Sequence, residues 1–159
     1  MNKRLDLTIC LTIIILLYAV APVQAAPPEV EGAFYGHISY VDSQAKVLRA
    51  DGAEQKAVVN LPVAPGDTVV TPEKGRCELQ FDNGTVIRLD YNTRLKIITF
   101  LAPSLTTRWR ISTLQLENGR IYVMSKIYKK EKFQVVTSNS AFDFLKNGVT
   151  TIGKDQKGN

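Results

Sequence analysis

The sequence predicts an all-β domain of short antiparallel strands and hairpins, preceded by an N-terminal helical signal peptide. Three observations point there. Runs such as Arg76 to Phe81 alternate apolar and polar residues with the period of a half-buried strand. Asp51-Gly52, Asn83-Gly84, Asn118-Gly119 and Asn147-Gly148 separate those runs with pairs that tolerate positive φ. Beyond the N-terminal apolar run, no long stretch carries a helical period.

The N-terminus is read as separate from the fold. Lys3 and Arg4 form a basic start, Leu7 to Val20 is apolar, and Val23-Gln24-Ala25 supplies a cleavage site. Cleavage is expected after Ala25, because a cut after Ala26 would set Pro27 beside the scissile bond. The alternative is an uncleaved anchor, but the run is short against the roughly 20 apolar residues a bilayer needs. Cys10 lies near the start of the run, which disfavours a lipoprotein. The chain then divides into a signal peptide (1–25), a leader (26–32), a β domain (33–153) and a polar tail (154–159). Loss of Lys3, Arg4 and Asp6 lowers the net charge from +5 to +4. That excess is mild and does not by itself argue for nucleic acid.

The elements follow in order. Phe34 to Val41 alternates as a strand, with Ile38 and Tyr40 on one side and His37 and Val41 on the other. Lys46 to Ala50 is a second strand, closed by the Asp51-Gly52 turn. Lys56 to Val63 extends again, and Pro62 puts it at an edge or bend. Pro65-Gly66-Asp67 turns, Thr68 to Thr71 extends, and Pro72 to Gly75 turns. Arg76 to Phe81 points Cys77, Leu79 and Phe81 inward. Asn83-Gly84 predicts a two-residue type I′ hairpin, with Ile87 and Leu89 inward on the return strand. Arg94 to Phe100 extends and Leu101 to Thr107 is a loop. Trp109 to Leu116 and Arg120 to Met124 form a hairpin around Asn118-Gly119. A basic loop, Ser125 to Lys132, precedes strands at Phe133 to Thr137, Ala141 to Leu145 and Val149 to Ile152.

Few residues suggest catalysis. His37 is the single histidine, and Cys77 the single cysteine after cleavage, so no intramolecular disulfide can form. A Cys-His pair would need the two in contact. The preferred reading puts His37 on the solvent face and Cys77 in the core, with a reactive or bridging thiol as the alternative. One histidine and one cysteine cannot make a zinc site. Asp67, Asp82 and Asp90 are read as turn formers rather than an acid–base pair or calcium ligands. No Gly-x-x-x-x-Gly-Lys phosphate loop occurs. Arg108, Trp109 and Arg110, and Tyr128, Lys129 and Lys130, mix basic and aromatic side chains. Such mixtures suit a protein partner, a glycan, single-stranded nucleic acid or an anionic membrane surface, or are a solvated edge that lysine guards. An export signal argues against nucleic acid.

From Gly66 to Ile97 the sequence resembles the FecR family of extracytoplasmic regulatory domains. The shared pieces are Gly66-Asp67-x-x-x-Thr71, the Gly75 to Phe81 strand, and the return Gly84-Thr85-x-x-Arg88-Leu89. Leu114 to Val123, with Asn118-Gly119-Arg120, and Phe133-x-Val135-x-Thr137 fit later in the same order. The resemblance implies a twisted β-solenoid or sandwich-like domain outside the cytoplasm. It implies no enzyme activity and no cofactor. In the best-known members, the domain follows a cytoplasmic anti-sigma segment and a membrane span, and relays the state of an outer-membrane receptor. No cytoplasmic segment precedes the apolar run here, and Ser138 to Ile152 holds no match to the family's closing Gly-Thr-x-Phe element. The expectation is therefore a periplasmic or secreted stand-alone member that binds an envelope protein partner. A glycan-binding or structural module is the second reading. Membrane contact is expected only through an uncleaved signal segment.

Overall fold

The structure is a computed structural model that describes residues 36–154. The expected signal peptide, the leader and the first two residues of the first strand, Phe34 and Tyr35, lie outside the described residues. So does most of the tail. The described residues form twelve strands: β1 (Gly36–Asp42), β2 (Lys46–Leu48), β3 (Glu54–Lys56), β4 (Pro62–Val63), β5 (Thr68–Val70), β6 (Arg76–Phe81), β7 (Val86–Leu89), β8 (Arg94–Pro103), β9 (Arg110–Ser125), β10 (Glu131–Val136), β11 (Ala141–Phe144) and β12 (Gly148–Lys154). The all-β expectation holds.

The strands form one sheet in the order β3-β2-β5-β8-β9-β7-β6-β1-β4, with β10 and β12 also against β9 and β11 beyond β10. All pairs are antiparallel except β10 with β9. Strand β9 is the spine. Its first half lies between β8 and β10, and its second half between β7 and β12. Sixteen residues would span about 50 Å if straight. Yet β10 restarts opposite Arg110 only six residues after Ser125, a reach of about 20 Å at most. The spine is therefore folded back on itself, which gives a curled, sandwich-like sheet with two leaves.

The fold in β9 sits at Gly119, where the sequence suggests a hairpin. There is no hairpin. Gly119 has φ +91° and lies against the Tyr91–Thr93 turn, where a Cβ would stand 2.4 Å from Thr93 Oγ1. The Asn-Gly pair supplies a positive φ, as expected, but uses it to bend a continuous strand rather than end one. Asn118 Nδ2 donates to Asn92 O (2.8 Å), Arg120 N–H to Thr93 Oγ1 (3.0 Å) and Asp90 N–H to Arg120 O (3.0 Å).

Other departures are local. At Phe81 to Thr85 the turn has Gly84 N–H donating to Phe81 O (2.8 Å), and only Gly84 takes positive φ. It is a longer turn with a glycine bulge rather than type I′. Strand β1 has a bulge between Ile38 and Tyr40, so Tyr40 faces outward while Val41 packs on the core. Strand β8 runs on to Pro103 because Ala102 and Pro103 pair with Ile111 and Arg110. The remaining loop, Ser104 to Trp109, is shorter than expected. Strand β12 extends to Lys154.

The two leaves close over one core. Ile38, Cys77, Leu79, Phe81, Ile87, Leu89, Ile121 and Val123 meet Val47, Val69, Leu95, Ile97, Leu114 and Leu116 there. Phe81 of one leaf stacks on Phe100 of the other, with ring centres 4.3 Å apart. Burial of such side chains contributes roughly 1.5–3 kcal/mol each, which makes this core the main source of stability.

Candidate functional site

The folded spine gives the domain two unlike ends. At the closed end lie Gly119 and the Tyr91–Thr93 turn. At the open end lie the turn Asp82–Gly84, the loop Ser104–Trp109, the crossover Lys126–Lys130 and the turn Leu145–Asn147. Hydrogen bonds tie several of these together. Lys126 N–H donates to Thr85 Oγ1 (3.1 Å), Ile127 N–H to Asn147 Oδ1 (2.7 Å) and Arg110 N–H to Lys130 O (2.8 Å).

This arrangement brings together most of the basic and aromatic residues singled out in the sequence. Trp109, Tyr128, Lys129 and Lys130 line one open groove of about 580 Å³, with Ile127, Leu145 and Lys146. Arg110 enters β9 beside it, and Arg108 stands next to Trp109 without lining it. Trp109 and Tyr128 are 44% and 58% exposed. The groove's carboxylate, Glu131, is occupied as an acceptor from Tyr128 N–H (3.2 Å) and Asn83 Nδ2 (3.5 Å). Three lysines against one engaged carboxylate leave the groove cationic.

A second surface was not evident from the sequence. On the outer face of the β1-β6-β7-β9-β12 leaf, Tyr40, Glu78, Arg88, Tyr122 and Thr151 stand in one cross-strand row. Met124 and Val149 pair in the adjacent row. All of these but Thr151, together with Arg76 and Asp90, line a mainly apolar depression of about 650 Å³. Its charges are neutralised locally. Arg88 pairs with Glu78, and Arg76 with Asp90 (3.2 Å). The Arg76 guanidinium also lies over the Tyr91 ring at 4.4 Å. Its hydrogen bond to Asp90, then the charge interaction with Tyr91, raises its pKa. Alternation in each strand is legible, but a row across five strands depends on register and on the β1 bulge.

The residues weighed for catalysis are dispersed. His37 pairs with Gln80 and faces partly outward, whereas Cys77 is 1% exposed in the core. Burial pushes the Cys77 thiol up to about 12, so it is neutral and unreactive near pH 7. Asp67 is a buried staple that accepts from Arg49 Nη1 (2.7 Å) and Ala64 N–H (3.0 Å). Asp90 belongs to the outer face and Asp82 to the open-end turn. Among the described residues, no cluster of three His, Cys, Asp or Glu could hold a metal. None of their buried side-chain polar atoms lacks a partner.

The residues that carried the family resemblance have structural work. Thr71 Oγ1 donates to Asp90 O (2.6 Å) and accepts from Thr93 N–H (2.9 Å), joining two turns at the closed end. Gly66, at φ +95°, sits 2.7 Å from Ala50 Cβ at the position of its absent Cβ. No curated protein and no solved structure matches the chain. A family profile described as FecR protein matches residues 67–157, more than half of the 159. The chain therefore belongs to the FecR family, a signalling and regulatory family whose domains are typically associated with the cell envelope.

Proposed function

We propose that the domain is a non-enzymatic extracytoplasmic docking module that receives an extended segment of an envelope protein along β12. The observation that carries this reading is the unguarded edge. Among the described residues the sheet has four edge strands. Strand β3 bears Glu54 and Lys56, β4 begins at Pro62, and β11 is four residues long with Asp143 paired to Lys132 (2.9 Å). Such features discourage edge pairing. Strand β12 has seven residues, Gly-Val-Thr-Thr-Ile-Gly-Lys, no proline and a charge only at Lys154. Among the described residues it pairs with β9 alone. Val149 is 75% exposed beside the outer-face depression. An added strand would take main-chain hydrogen bonds from β12 and set alternate side chains beside Val149 and Thr151 on the outer face.

The test uses adjacent substitutions. Of Thr150 and Thr151, one directs its N–H at β9 and the other outward. Thr150→Pro and Thr151→Pro are compared by thermal melting. The variant that melts like the parent carries the outward proline. It is expected to lose any envelope protein that the parent captures from envelope extract, and Val149→Lys to weaken that capture. Full retention by both would refute docking on β12.

A further inference from the structure

We propose that the open end of the domain is a peripheral docking surface for an anionic phospholipid bilayer. Two independent features meet there. The first is apolar side chains at turn tips, where no neighbour covers them. Leu105 is fully exposed, in a loop closed by Ser104 N–H donating to Trp109 O (2.9 Å). Leu145 is 71% exposed on the turn before β12. The second is the cationic groove that Leu145 and Trp109 help to line, with Lys129, Lys130 and Lys146. Trp109 and Tyr128 line the same groove as Leu145 and the lysines.

That combination of side chains suits the layers of a bilayer surface. Leucines enter the acyl boundary, the indole and phenol rings sit at head-group depth, and lysines meet lipid phosphates. A sugar chain would use the two rings and the lysines, but it offers no apolar layer for Leu105 and Leu145. The groove adjoins the start of β12 but shares no lining residue with the outer-face depression.

Trp109 is the single tryptophan of the chain, so its fluorescence reports this end and not the N-terminal apolar run. The full chain is titrated with vesicles of phosphatidylglycerol and phosphatidylcholine, and separately with phosphatidylcholine alone. The anionic vesicles are expected to blue-shift Trp109 emission, and added salt to reverse the shift. Lys130 has φ +66°, a conformation asparagine accepts, so Lys129→Gln with Lys130→Asn removes charge without backbone strain. Two interfacial cations correspond to about thirty-fold in affinity for the anionic vesicles. Leu105→Ser is expected to weaken binding with melting unchanged, since the side chain makes no buried contact. Equal emission with both vesicle types would overturn the proposal. So would a shift produced by a soluble acidic polysaccharide and not by vesicles, which would assign the groove to a glycan.

Discussion

Three Asn-Gly pairs in this chain provide a graded test of how the fold is held. Replacing each glycine by alanine makes the same chemical change in three environments. At Gly148 nothing stands within 4 Å of the new Cβ and φ is not positive. The expected change is within about 0.5 kcal/mol, or slightly stabilising, because alanine restricts the unfolded chain. At Gly84, φ is +82° but the nearest neighbour is a flexible Lys126 carbon at 3.7 Å. The cost is the left-handed conformation alone, roughly 1–2 kcal/mol. At Gly119, φ is +91° and the Cβ would meet Thr93 Oγ1 at 2.4 Å, Thr93 Cα at 2.5 Å and Asn92 O at 2.7 Å. Two of those three atoms are backbone and cannot swing aside. Overpacking adds roughly 1–3 kcal/mol to the conformational cost, so Gly119→Ala should lose about 2–5 kcal/mol. That is a large share of the roughly 5–15 kcal/mol that holds a domain together. Equilibrium urea unfolding measures all three, and with a slope near 2 kcal/mol per molar the Gly119 midpoint should fall by about 1–2.5 M. If Gly119→Ala and Gly84→Ala have equal midpoints, the claim that β9 turns at Gly119 against the Thr93 turn is wrong.

Two further predictions concern buried polar groups. Asp67→Ala leaves Arg49 and the Ala64 N–H without their acceptor and should cost about 2–4 kcal/mol, read as a lowered melting temperature. Cys77 links stability to alkaline pH. Its pKa rises from 9.0 to about 12 on burial, so the native state keeps a proton that the unfolded chain releases. Its contribution is complete below pH 9 and falls as the pH rises towards 12, by about 1.4 kcal/mol per pH unit. Cys77→Ala should flatten the slope of stability against pH in that range, and an unchanged slope would place the titration elsewhere.

Much of the fold is legible in the sequence because a half-buried strand records its two faces in its own alternation. Cys77, Leu79, Phe81, Ile87 and Leu89 are buried as their spacing indicates. Strand ends and turn glycines are also local, and Gly52, Gly66 and Gly84 take positive φ. What failed to show was non-local. Asn118-Gly119 has the composition of a hairpin turn, and only packing on Thr93 reveals that it bends one long strand. The β1 bulge reverses Tyr40, because one extra residue exchanges the two faces. The basic and aromatic segments were visible as composition, but Leu145 and Lys146 join Trp109 and Tyr128 only through the parallel placement of β10. The outer-face depression has no local signature, since its side chains come from β1, β6, β7, β9 and β12.

The folded spine also divides the assembly of the domain in time. Every neighbour on one flank of β9, namely β7 and β8, precedes it in the chain, and every neighbour on the other flank, β10 and β12, follows it. A chain extended from its N-terminus can therefore complete one side of the sheet when residue 125 arrives. At that moment, sixteen residues of β9 offer a bare row of donors and acceptors. The last thirty or so residues serve to cover it. A nascent or truncated chain that stops there exposes the longest strand among the described residues as an edge, and that edge is where it would meet another copy of itself.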